Sequence, residues 1–285
     1  MASVAPPSLT VVGSVNLDLV ARVASLPRPG ETITATSFAL VPGGKGANQA
    51  LAAARMGASV RVVGCVGNDS YADLALASLR AGGVDLSRVC VHDGPTGIAM
   101  ILVDDAGENV IVVVPGANGE LAAADVVAPH GDAVLVQLEI PDGALVAAAS
   151  QATGLFALNA APSRPVPASV RERADLVIVN RLEAEALGAV RPDALVTVTF
   201  GAEGAELRRG DGTVLARATP PPVVAVDGTG AGDAFCGALL VGLLEGRDHD
   251  VALRRACAAG ALAASRAGAQ PSLPTAAAVD AMMVG

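Results

Sequence analysis

Two glycine-rich turns, far apart in the chain, carry the residues with the most chemical potential. VDGTGAGDAF is the later one: the apolar run Val223 to Val226 breaks at Asp227 into Gly228, Gly230 and Gly232, and a helical pattern follows. The pattern predicts a buried strand over Val223 to Val226, a glycine turn, and Asp233 in the first turn of the next helix. A helix N-terminus offers unpaired N–H groups and partial positive charge, and glycines let a phosphate approach the main chain. Gly230, Ala231 and Gly232 would then hold an anion, with Asp233 beside it as a proton acceptor. By itself such a turn is equally an ordinary helix start.

The earlier turn is PGGKGANQA, Pro42 to Ala50, which opens a helix reaching about Met56. Gly43, Gly44 and Gly46 permit a tight backbone, while Lys45 and Asn48 supply polar reach. A Walker A loop is excluded, because no Ser or Thr follows the Gly-Lys pair and the upstream glycine spacing is wrong. Before it, Asn16 and Asp18 fall on one face of an extended segment. An amide both donates and accepts and a carboxylate accepts, so the pair suits sugar hydroxyls, although an ordinary turn would look the same.

The elements that must position these groups read as α/β. Leu9 to Val15, Glu31 to Phe38 and Val60 to Val66 read as strands, and Tyr71 to Ala81 as a helix closed by Gly82 and Gly83. Ile98 to Val103 and Val110 to Val114 flank the turn DDAGEN and read as a hairpin. From Ala133 the apolar runs AVLVQL, LFAL, LVIV, LVTVTF and VVAV alternate mostly with alanine-rich helical stretches, which implies a parallel sheet covered on both faces. Glu139, Asn159, Asn180, Thr199 and Asp227 end those runs, where α/β sheets bind ligands. A helix over Val251 to Ala267, a loop Gly268 to Pro274 and a short helix to Met283 close the chain.

Composition narrows the partners. The 285 residues are 52% hydrophobic, mostly alanine and valine, yet no apolar run approaches the roughly 20 residues that span a bilayer. MASVAPPS lacks the basic and apolar regions of a secretory leader, so a cytoplasmic protein is expected. Cys65, Cys90, Cys236 and Cys257 are scattered without a CxxC pair, which suits buried reduced thiols better than a zinc site. A net charge of -9, no tryptophan and one tyrosine argue against a nucleic-acid partner.

GSVNLD, PGGKGANQA and VDGTGAGDAF together resemble the signature regions of the ribokinase family of sugar kinases, and the similarity covers nearly the whole chain. QLE (Gln137 to Glu139), LNAAP (Leu158 to Pro162), VNRLEAE (Val179 to Glu185), TFGAEG (Thr199 to Gly204) and GAQPSLP (Gly268 to Pro274) continue it in the family's order. The resemblance implies a single ribokinase-like α/β domain over residues 1–285. Its central, mostly parallel sheet would carry helices on both faces, under a small β-sheet lid from segments near 16–22, 31–40, 97–104 and 109–115. It implies ATP-dependent phosphorylation of D-ribose to D-ribose 5-phosphate, with Asp233 as base and the 230–233 turn as anion hole. Asn16, Asp18, Gly44, Lys45, Gly46, Ala47, Asn48 and Glu139 would bind sugar. Asn180, Thr199, Phe200, Gly201, Ala202, Glu203, Gly204, Gly232 and Cys257 would bind nucleotide. Glu183 would position Mg²⁺ through water. Asp227, Thr229, Ala263, Arg266, Gly268 and Ser272 would hold an activating K⁺, and the lid would pair two chains into a homodimer.

Two departures from the family pattern stand out. The connection GAVRPDA between Glu185 and Leu195 is too short for the further helix common there, and Gly228 replaces a frequent threonine. Rival readings are a nucleoside or other pentose kinase of the family, a non-catalytic sugar-binding protein on the same fold, and an NAD-dependent dehydrogenase. Scarce aromatics weigh against a nucleoside kinase while another pentose stays open, retention of Asp233 and its glycine turn weighs against the binding protein, and the absence of GxGxxG spacing against the dehydrogenase.

Overall fold

The computed structural model describes residues 5–127 and 131–284; the first four residues of MASVAPPS lie outside it. The strands are β1 (Ser8–Val12), β2 (Asn16–Arg22), β3 (Ser37–Gly43), β4 (Ser59–Gly67), β5 (Asp85–His92), β6 (Gly97–Val103), β7 (Asn109–Val114), β8 (Ala133–Gln137), β9 (Leu155–Asn159), β10 (Leu176–Asn180), β11 (Leu195–Thr199), β12 (Ala205–Arg209) and β13 (Val214–Ala218). The helices are α1 (Lys45–Arg55), α2 (Tyr71–Ala81), α3 (Asp142–Gln151), α4 (Ala168–Arg173), α5 (Arg181–Leu187), α6 (Ala231–Leu244), α7 (His249–Ala264), α8 (Ala269–Ser272) and α9 (Ala276–Val284).

Nine strands form one sheet in the order β13-β12-β11-β10-β9-β8-β1-β4-β5, parallel from β11 to β5. Side chains alternate across it. Val11 and Leu135 join a core with α1, α2, α6, α7 and α9, while Val12, Val134 and Val136 join a second core with α3 and α4. Burial on both faces explains why these strands read as unbroken apolar runs. The smaller sheet has the order β3-β2-β6-β7 and begins where the first strand run leaves the large sheet after Gly13. Among the described residues, no helix is long and apolar enough to cross a membrane.

Several expectations change. The strand placed at Glu31 to Phe38 forms at Ser37–Gly43, with β2 pairing in register from Arg22↔Ser37 to Asn16↔Gly43. The segment given as 31–40 therefore shifts, which carries the lid directly into the glycine turn. Val223 to Val226 is not a strand: Val224 and Val226 are 84% and 62% exposed. Pro220, Pro221 and Pro222 just before it lack N–H donors, and the N–H groups of Val226 and Asp227 donate instead to Ala264 O at 2.8 and 3.1 Å. The helix expected over Val251 to Ala267 runs from His249 to Ala264. β5, β12 and β13 had no sequence signal, and the last two are antiparallel. Cys65 and Cys90 pair in register across β4 and β5 and form a disulfide, contrary to four reduced thiols; Cys236 and Cys257 are free and buried.

No helix fills the short connection after α5. Arg171 donates to Leu187 O and Ala189 O at 3.4 and 3.1 Å, and Arg191 pairs with Asp175 at 3.0 Å. A cavity of about 330 Å³ remains beside Val179, Val190 and Val196, yet Val196 and Val198 stay buried.

Candidate active site

The floor of the site is the crossing of α1 and α6. A Cβ on Gly237 would stand 2.7 Å from Ala52 Cβ and 2.8 Å from Ala53 N, so the bare glycine lets the helices touch. Their approach carries two amides to Asp233: Asn48 Nδ2 donates to Oδ2 at 3.0 Å and Gln49 Nε2 to Oδ1 at 2.9 Å. Gln49 also donates to Asn159 Oδ1 at 2.9 Å and accepts from Gln137 Nε2 at 2.8 Å. The carboxylate is thus aimed by a buried chain of amides. Asn48 Oδ1 is buried without a partner, an acceptor available to a ligand hydroxyl.

A cavity of about 450 Å³ opens above this floor, lined by Asn16, Asp18, Gly44, Lys45, Asn48, Glu139, Asn180, Glu183 and Asp233 and roofed by Ile101, Ile111 and Val113 of the small sheet. Asn118 fixes Asn16, donating to its Oδ1 at 2.7 Å while accepting from Val15 N at 2.8 Å. Asp18 is pushed up from 3.8 to about 7 by burial first, then by the charges of Glu139 and Asp233. Gly43 packs against the Asp18 carboxylate so closely that a Cβ there would collide with it. Glu139 Oε2 accepts from Ser14 Oγ at 2.5 Å and from Lys45 N at 3.0 Å, sitting at the start of α1 where negative charge is favoured. Burial opposes the charge on Lys45, but Asp233 and Glu139 hold its ammonium above its usual range. Gly46 and Ala47 lie beneath the surface, bonded through their N–H groups to Ser14, and line neither this cavity nor the next.

A second, more apolar cavity of about 500 Å³ meets the first at Thr199, Gly228, Gly232 and Phe235. Gly201, Ala202, Gly204, Cys257 and Pro220 to Pro222 line it. Phe200 and Glu203, expected there, turn instead to Arg181: its guanidinium stacks 5.2 Å from the Phe200 ring and pairs with Glu203 at 3.3 Å. Between the cavities lies the start of α6. Gly230 has φ 80° and lies against Ala269, so only glycine fits the turn without strain. Ala231 N donates to Gly228 O at 3.2 Å, so of the first-turn N–H groups those of Gly232 and Asp233 could face an anion.

Asp227 ties this turn to the C-terminal loop, its two oxygens accepting from Thr229 N at 2.9 Å and Gly268 N at 2.8 Å. Burial would raise its pKa, but those hydrogen bonds and Arg22 bring it below the ordinary carboxylate value. Ser272 Oγ donates to Ala269 O at 2.8 Å, and Arg266 is exposed. Asn180 caps α5, accepting from Glu183 N while its own N–H donates to Glu183 Oε2, both at 2.8 Å.

Residues 6–276 match the pfkB family of carbohydrate kinases. A ribokinase of Bacillus subtilis is 38% identical over 94% of this chain and 96% of its own. The chain belongs to the pfkB family of carbohydrate kinases. A crystal structure of a Thermotoga maritima ribokinase superposes with a TM-score of 0.89 at 32% identity, covering 98% of this chain and 100% of that one. The Arabidopsis thaliana ribokinase complexed with ribose and ATP does so with a TM-score of 0.86 at 30% identity, over 98% and 99% of the two chains. In this carbohydrate kinase the residues that motif reading passed over are Ser14, Gln49, Asn118 and Gln137, each holding another site residue. Gln49 sits inside PGGKGANQA, one position past Asn48, and its place there was the available signal. Asn118 follows Gly116 in a short turn that nothing in the local pattern connects to Asn16.

Proposed function

We propose that the chain transfers the γ-phosphoryl group of ATP to the primary hydroxyl of D-ribose, forming D-ribose 5-phosphate and ADP. One observation carries the reading: Asp233, held by two amides, stands at the start of α6 in a cavity that also presents Asn16, Asp18 and the unpartnered Asn48 Oδ1. Asn16, Asp18, Gly44, Lys45, Asn48 and Glu139 bind the sugar and orient its hydroxyl toward Asp233, which takes the proton as the new bond to phosphorus forms. The N–H groups of Gly232 and Asp233, with Lys45, stabilise charge gathering on the transferred group. The adenine enters the apolar cavity beside Cys257, and Asn180 reaches the phosphates.

The proposal includes two ions. Glu183 Oε2 is engaged in the cap of α5, and the residue lines the cavity, where its carboxylate would hold a water on Mg²⁺. Asp227, whose two oxygens already join the Thr229 turn to the Gly268 loop, would with Thr229, Ala263, Arg266, Gly268 and Ser272 supply the oxygen ligands of a hard monovalent cation such as K⁺. Bound on the phosphates, Mg²⁺ would neutralise charge and align the nucleotide. Asp227 holds the α6 turn to the Gly268 loop, so exchanging K⁺ for Na⁺ at equal ionic strength should lower kcat more than it changes KM; equal rates would remove the cation from the reading. A cytoplasmic setting and a homodimer joined through the small sheet complete the proposal.

An ADP-release assay across ribose, deoxyribose, other pentoses and nucleosides tests the substrate. Ribose should give the highest kcat/KM, and a nucleoside ahead of it would overturn the assignment. Asp233→Asn should lower kcat by roughly 10² to 10⁴-fold with KM for ribose and ATP little moved. A variant that keeps its kcat would remove Asp233 from the role of base.

A further inference from the structure

On the sheet edge remote from the phosphate turn, four metal-ligating side chains converge: Cys65, Cys90, His92 and Asp125, whose ligand atoms all lie within 4.8 Å of one another. Two strand facts and a shared core put them there. Cys65 and Cys90 are register partners on parallel neighbours, and His92, two residues after Cys90, projects from the same face of β5. Cys65 belongs to the core that also contains Leu121 and Val126, and those two residues flank the turn that presents Asp125. One Asp125 oxygen, Oδ2, accepts from Ala122 N at 2.8 Å; the other is left for a ligand.

We propose that these four residues form a tetrahedral site for Zn²⁺ when the Cys65–Cys90 pair is reduced. In the structure the sulfurs are joined. A dithiol reductant supplies two electrons and two protons, opening the S–S bond to two thiols while the reductant closes its own disulfide. Metal binding then releases both thiol protons. Two thiolates, an imidazole and a carboxylate are a donor set that zinc accepts at about 2.0 to 2.3 Å, and the soft sulfurs disfavour Mg²⁺ and Ca²⁺. Zn–S bonds of roughly 2.3 Å in a tetrahedron hold two sulfurs about 3.8 Å apart, a separation that side-chain rotation on paired strands provides. A reducing compartment would keep the pair in its metal-binding form; exchange with an external disulfide, which leaves as two thiols, would rejoin the sulfurs and release the ion.

Cobalt reports thiolate ligation directly. The full chain, reduced with a phosphine and freed of it without oxygen, is titrated with Co²⁺ and then Zn²⁺. One equivalent of Co²⁺ should give a thiolate-to-cobalt charge-transfer band with strong tetrahedral d–d absorption, and one equivalent of Zn²⁺ should bleach it. The Cys65→Ser, Cys90→Ser double variant should lose the band. His92→Ala and Asp125→Ala should each weaken binding by at least the roughly tenfold that loss of even an outer-sphere partner costs. Kinase turnover serves as the folding control, since none of the four touches the substrate cavities. If the double variant does not fold, the single substitutions at half-buried His92 and Asp125 decide the matter. The proposal is overturned if the reduced chain shows no band, if the band survives without the cysteines, or if His92→Ala and Asp125→Ala bind as tightly as the parent. Two rather than four titratable thiols after reduction and denaturation would overturn it as well, because the pair would then never open.

Discussion

Asp18 shows what burying a carboxylate in the proposed sugar site costs the unliganded protein. With its pKa raised to about 7, the folded chain holds a proton between pH 4 and 7 that the unfolded chain has already released. Stability contributed by this group is therefore fullest below pH 4 and falls as pH rises through that window, at about 1.4 kcal/mol per pH unit. Asp18→Asn removes the penalty while keeping the shape. It should raise the melting temperature of the sugar-free protein at pH 8 and leave it nearly unchanged at pH 4. The same change deprives a sugar hydroxyl of a charged acceptor, a loss of roughly 1.5 to 3 kcal/mol, so KM for ribose should rise about ten- to hundredfold. Equal thermal shifts at both pH values would show that Asp18 titrates normally. Asp18 and Asp233 were legible as residues because a carboxylate inside an apolar or glycine-rich run is conspicuous. Gln49 and Asn118 were not, since a lone amide reads as a cap or a surface group until the chain is folded.

At the scale of elements, the geometry around Asp233, the proposed base, depends on how closely α1 and α6 approach. Gly237 is the contact point, and a methyl there meets the backbone of Ala53 as well as the Ala52 side chain. Neither is a flexible tip that could swing aside. Gly237→Ala should cost about 1 to 3 kcal/mol of stability, the usual range for overpacking, seen as a lower urea midpoint with an unchanged slope. Because Asn48 and Gln49 ride on α1, kcat should fall while KM for ATP holds; unchanged kcat would mean that the helices separate without moving the amides. The helices and the parallel strands were readable from their patterns because one period dominates each. β12 and β13 alternate arginines with buried Leu207 and Ala216 too briefly to stand out, and Val223 to Val226 mimics a strand where the sheet has already ended.

For the molecule as a whole, the small sheet faces two ways. Its inner side chains, Ile101, Ile111 and Val113 among them, roof the cavity above Asp233. Register places Leu40, Leu19, Met100 and Val112 in one row across the opposite face, and Phe38, Ala21, Leu102 and Val110 in the next. Within those rows Phe38 is 61% exposed, Met100 45%, Val110 47% and Val112 50%. β7 is also an edge strand, exposed along its whole length, and an apolar edge left open invites pairing with another chain. A patch of this kind marks an interaction surface, and a second copy presents an equally apolar, self-complementary partner. The sequence disclosed this face only through the alternation of the hairpin strands, without saying whether solvent or another chain would meet it. Val112→Lys places a charge at the centre of the outward face while leaving the cavity side untouched. It should convert a dimer at micromolar concentration into a monomer, read by sedimentation velocity, and it should raise KM for ribose if pairing steadies the roof. A parent chain that sediments as a monomer, or a variant that still pairs, would show that the apolar face of the small sheet is not where two copies meet.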